Sequence, residues 1–158
     1  MFRITKSLLV MASLAFVAAP HAATAADPVF GTWKLNVAQS KFSPGPALKS
    51  QTRTYKDSAG SVAMSFSQVS ADGKESAGAS TFKYDGKEYP ITGSPDYDTL
   101  VLKAVNDHTI ESSQKRAGKV VGTSTRTVAK DGKTMTLVSK GTSATGVAFD
   151  NTLVFDRE

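Results

Sequence analysis

One tripeptide recurs along the chain as Asp72-Gly73-Lys74, Asp85-Gly86-Lys87 and Asp131-Gly132-Lys133. An Asp-Gly pair is a strong hairpin signal, because glycine accepts the positive φ that a tight two-residue turn imposes. Ala117-Gly118-Lys119 is a weaker fourth copy, Asp57-Ser58-Ala59-Gly60 and Asn106-Asp107 are further turns, and Gly141–Gly146 is a longer loop. The three aspartates stand 13 and 46 positions apart, which is not one period. The tripeptide therefore marks hairpins and not a propeller or solenoid.

Between the turns the chain reads as ten strands: 29–37, 51–56, 61–69, 75–84, 87–92, 98–105, 108–115, 119–129, 134–140 and 147–156. After Ala25 there are 31 Ser and Thr residues against six Leu, a composition that favours strands over helices. Val62, Met64 and Phe66 alternate with Ala63, Ser65 and Ser67, and Val147, Phe149, Leu153 and Phe155 share one parity. A period of two is the mark of a strand with one buried face. Sequential hairpins make the simplest topology an up-and-down antiparallel sheet. Closing it into an all-β barrel of 8–10 strands removes the exposed edges. The longest connection, Ser40–Ser50, contains Pro44-Gly45-Pro46 and continues neither a helix nor a central strand. A long loop there is expected to control access to the barrel.

The first 25 residues carry a different message. Met1–Lys6 holds Arg3 and Lys6 without an acid, Leu8–Ala19 is uncharged and apolar, and Ala23-Thr24-Ala25 is small at both positions a signal peptidase reads. This is the layout of a signal peptide, 1–25, with an apolar run too short to span a bilayer. Cleavage near Ala25 leaves a single domain, 26–158, that is periplasmic or secreted. Without the leader, 17 basic residues face 14 acidic ones, and the lysines are dispersed. That pattern is a solvated surface and not a nucleic-acid footprint. No later stretch approaches the twenty apolar residues of a membrane span. The absence of Cys excludes disulfides, thiolate metal sites and a lipidated N-terminal cysteine.

Phe30-Gly31-Thr32-Trp33-Lys34-Leu35, then Ser40-Lys41-Phe42, resembles the opening strand of the calycins, the lipocalin and fatty-acid-binding-protein superfamily. The ending Val154-Phe155-Asp156-Arg157 resembles their last strand. The likeness is strongest to small exported lipocalin-like bacterial proteins. It implies that Trp33 plugs one end of a barrel and that Arg157 packs on it. The R-x-Y anion clamp of fatty-acid-binding proteins is missing, since Leu153 and Phe155 occupy the equivalent positions. The resemblance implies the fold, and not fatty-acid binding.

Few residues are candidates for chemistry. His108 is the only histidine after the leader, so no multi-His metal site can form. Asp96-Tyr97-Asp98 is explained by a turn entering a strand. Gly141–Gly146 lacks both the nucleophile-elbow spacing and the P-loop ending. No metal, cofactor or catalytic residue is expected. Tyr55, Met64, Phe66, Phe82, Tyr84 and Phe149 lie mid-strand among small residues and are the candidate ligand contacts. Arg126 either sits on the surface among Thr and Ser or faces inward to meet an anion. Ala63, Ala77, Gly78, Ala79 and Gly122 leave interior space if they point inward, and a barrel of this size is either packed or hollow.

Three functions follow in order. The first is a monomeric, non-catalytic exported binder of a small hydrophobic or amphipathic molecule. The second is a filled barrel that binds or inhibits another exported protein. The third is a barrel isomerase or cyclase.

Overall fold

The computed structural model describes residues 26–158; the expected leader, 1–25, lies outside the described residues. The strands are β1 (Gly31–Leu35), β2 (Ser50–Ser58), β3 (Ser61–Val69), β4 (Glu75–Phe82), β5 (Asp85–Pro90), β6 (Thr99–Asn106), β7 (Thr109–Arg116), β8 (Lys119–Val128), β9 (Thr134–Thr142) and β10 (Ala148–Arg157). One 3₁₀ turn, Val37–Gln39, is the only helical element among the described residues. The ten strands form one antiparallel sheet in the order β4-β3-β2-β1-β10-β9-β8-β7-β6-β5. The first strand thus pairs with the last, and Trp33 stands opposite Arg157 on one side and Arg53 on the other. The fold is an up-and-down, nearly closed β-barrel.

Local chemistry sets the turns. Ala59-Gly60 and Ala117-Gly118 are two-residue links with positive φ at both residues, 50° and 78° in the first, 49° and 77° in the second. That is the type I′ geometry whose twist matches paired strands. Asp85-Gly86 departs from expectation. It joins no hydrogen-bonded pair of strands, because β4 and β5 are the two ends of the sheet order. Both residues instead open β5, whose pairing with β6 shifts register between Asp85 and Glu88. The Asp85 carboxylate accepts from Lys87 N at 3.1 Å and from the Tyr89 hydroxyl at 3.0 Å.

The barrel closes across this seam with only a few bonds. Thr92 N donates to Ala79 O at 3.0 Å, and Ser80 Oγ donates to Pro90 O at 2.8 Å. Two glycines allow the approach. A Cβ on Gly78 would lie 2.0 Å from Thr92 O, and one on Gly93 would lie 1.9 Å from Ala77 O. Gly78 therefore serves closure and does not enlarge the interior.

One end of the barrel is packed solid. Val29, Trp33, Met135 and Phe155 are fully buried there. Trp33 Nε1 donates to Val29 O at 2.7 Å. The Arg157 guanidinium lies 4.2 Å from the centre of the Trp33 ring and donates to the carbonyls of Pro28, Phe30 and Gly132. A cation over an indole with its N–H groups satisfied is a favourable packing contact. The Ser40–Ser50 loop lies along β10, with Lys41 N donating to Thr152 O at 2.7 Å and Ser43 N to Asn151 Oδ1 at 3.0 Å. None of its residues lines the cavity described next.

Candidate functional site

The other end is hollow, with a cavity of about 290 Å³. The most buried polar side chain in its lining is Arg126. Val128 is buried, and strand alternation back from it turns Arg126, Ser124 and Gly122 inward while Thr127 and Thr123 face out. Arg126 is only 6% exposed, so its side chain faces the interior and not the surface. Its Nη2 donates to the Tyr84 hydroxyl at 2.6 Å, which in turn donates to Asp27 Oδ2 at 2.8 Å. The guanidinium sits 5.0 Å from the Tyr55 ring centre and 5.5 Å from that of Tyr84. Its Nε is buried without a hydrogen-bond partner. Among the described residues no carboxylate lies within ion-pair distance of it.

A second cation enters from β2. Arg53 Nε donates to Gln51 Oε1 at 3.1 Å, and its guanidinium lies between the Phe66 and Phe155 rings, 6.0 Å and 5.7 Å from their centres. Arg53 Nη1 also approaches the Tyr55 hydroxyl at 3.5 Å. Burial pushes the Tyr55 phenol up, yet Arg53 and Arg126 on its two sides outweigh it and hold the group below the ordinary phenol range. Tyr84 moves the other way. Burial pushes its phenol up and Asp27 adds to that, against the opposing pull of Arg126.

The cavity has two unlike walls. Across β7, β8, β9 and β10 the register places Ser112 beside Ser124, Ser124 beside Ser139, and Ser139 beside Asn151. Ser112 and Ser124 share a hydrogen bond of 2.7 Å, and Gln114 Nε2 donates to Ser124 at 2.9 Å. Away from this row, β3, β4, β6 and the residue after β5 contribute the apolar side chains Met64, Phe82, Leu102 and Ile91, with Arg53 and Tyr55 of β2 beside them.

The loop Ile91–Asp98 borders the mouth, with Asp96 and Tyr97 lining the cavity. Asp96 Oδ1 accepts from Ala144 N at 2.8 Å, Asp98 Oδ2 accepts from Ala117 N at 3.0 Å, and Arg116 Nε donates to Asp96 O at 2.7 Å. Both carboxylates of the D-x-D segment thus fasten this loop to neighbouring turns. It is this loop, and not Ser40–Ser50, that borders the cavity. His108 Nδ1 is 3.1 Å from Val128 O, and among the described residues no three His, Cys, Asp or Glu side chains converge.

Of the candidates named from sequence, Tyr55, Met64, Phe82, Arg126 and Phe149 line the cavity. Phe66 does not; its ring packs under Gly78 and beside Arg53. Tyr84 does not either, and touches the cavity only through Arg126. Sequence reasoning missed Arg53 and the serine row. The signal was parity, since Arg53 shares it with Tyr55, Ser112 with Ile110, and Ser139 with Leu137.

The nearly closed meander fits a calycin-like fold. No family model matches the chain, and no curated protein matches it. Among solved structures, a redesigned β-barrel, mFAP1, bound to DFHBI, is similar at 14% identity with a TM-score of 0.48, over 82% of this chain and 95% of that one.

Proposed function

We propose that the protein is an exported, non-catalytic barrel that holds one small amphipathic molecule, its apolar body in the cavity and an anionic or acceptor group at Arg126. The observation that carries this reading is a buried guanidinium that lines a cavity and lacks a carboxylate within ion-pair distance. A charge removed from water is costly unless it is paired, and an anionic ligand supplies the missing partner. Apolar burial against Met64, Phe82 and Leu102 contributes the rest, at about 25 cal/mol per Å² before ordering costs. Export rests on the basic, apolar and small-residue layout of the first 25 residues.

Native mass spectrometry of protein recovered from the extracytoplasmic fraction tests both parts. Processing leaves a mass that begins at Ala26, and a retained molecule appears as an added mass that solvent extraction releases. Replacing the cation, as Arg126→Gln, is expected to weaken binding of a carboxylate ligand by about 2 kcal/mol or more in isothermal titration. Equal affinity for the variant would remove the anion from the proposal.

A further inference from the structure

Resting on the binding reading above, we infer that the ligand is a compact ring acid with hydrogen-bonding substituents along one edge, and not an acyl chain. Three observations converge. The first is size. The cavity of about 290 Å³ lies at the small end of ligand pockets.

The second is the difference between the walls. Ser112, Ser124, Ser139 and Asn151 form one row across four neighbouring strands. The opposite wall is largely hydrocarbon and aromatic ring, with Arg53 and Tyr55 of β2 as its polar groups and Asp96 and Tyr97 at the mouth. Ser112 and Ser124 partly satisfy each other, and Asn151 Oδ1 accepts from Ser43 N. The Ser139 hydroxyl makes no side-chain hydrogen bond to a described residue, yet it is not sealed off, since Arg126 Nε is the one buried orphan there. A molecule apolar all round would strip water from this row and return nothing to it. A molecule with one polar edge and one apolar face satisfies both walls.

The third is the anchor. Arg126, nine-tenths buried with an unpaired Nε, lies two positions along β8 from Ser124. Two residues on one face of a strand stand about 7 Å apart. An acid held at Arg126 therefore has the serine row one step along the same strand face, within reach of the ring edge of a phenyl ring bearing an acetate side chain.

The test uses the full mature protein and three acids matched in number of non-hydrogen atoms: 3,4-dihydroxyphenylacetate, 3,4-dimethylphenylacetate and decanoate. Isothermal titration is expected to rank the dihydroxy acid at least about tenfold tighter than its dimethyl isostere, as polar sites reject analogues that leave their groups unpaired. Ser139→Ala removes a hydroxyl that supports no other side chain. It is expected to lower affinity for the dihydroxy acid several-fold and to leave the dimethyl acid unchanged. Decanoate binding as tightly as the dihydroxy acid, or Ser139→Ala affecting both ring acids alike, overturns the ring-edge inference while the binding reading stands. Binding of none of the three, with no retained molecule in the native mass, overturns both.

Discussion

At the scale of single residues, the two arginines make Tyr55 unusual among the tyrosines. Burial alone would keep all of them protonated well into alkaline solution, as it does Tyr84 and Tyr97. Arg53 and Arg126 reverse the direction at Tyr55. A phenol whose folded value is depressed binds fewer protons in the native state than in the unfolded chain. Its contribution to stability is therefore fully present above the ordinary value of 10.0 and is lost as pH falls through the folded value. In a spectroscopic alkaline titration of the native protein, one phenolate is expected to form ahead of the others. Tyr55→Phe should delete that first step, and Arg126→Gln should delay it; an unchanged first step in Tyr55→Phe would assign it to another tyrosine. An anionic ligand bound beside the same pair of cations should raise the Tyr55 transition.

At the scale of elements, the seam between β4 and β5 is the weakest line in the sheet, because a few bonds replace a ladder. Gly93 carries both a φ of +76° and a backbone oxygen 1.9 Å from where a Cβ would sit. Gly93→Ala is expected to cost about 3 kcal/mol in urea unfolding, from unfavourable φ and displacement of β4 together. Gly118→Ala is the control. Its φ of +77° is nearly the same but nothing lies within 4 Å of its Cβ position, so it should cost about 1 kcal/mol. Equal losses would mean that the close approach at the seam adds nothing. Elements were also what the sequence expressed best. Turn chemistry and strand alternation together located all ten strands to within a few residues, because both act locally. The seam escaped, since Asp85-Gly86 has the same local chemistry as the true hairpins and only the path of β5 distinguishes it. The inward face of β8 escaped for another reason. Thr123, Ser124, Thr125, Arg126 and Thr127 are polar on both faces, so no hydrophobic alternation exists to read, and only Val128 marks the parity.

At the scale of the whole molecule, the barrel divides its interior between a packed end and a hollow one. The solid end around Trp33 and Phe155 fixes the strands, and the hollow end is free to carry polar side chains that a packed core would exclude. Phe155→Ala empties part of the solid end and is expected to cost 3–5 kcal/mol, roughly the usual loss for a buried phenylalanine. Because β1 pairs with β10 across nearly the whole described length of the chain, that loss should fall mainly on the unfolding limb of a chevron followed by Trp33 fluorescence. A slowed folding limb would place β1–β10 contact in the rate-limiting step instead. The ring closes with Arg157 donating to Phe30 O, 127 positions away. Until the ribosome has made β10, the first strand lacks one of its two neighbours and Trp33 lacks its cap. A polypeptide in that condition stays pliable until its last strand is made, so the fold can set only once the chain is nearly complete.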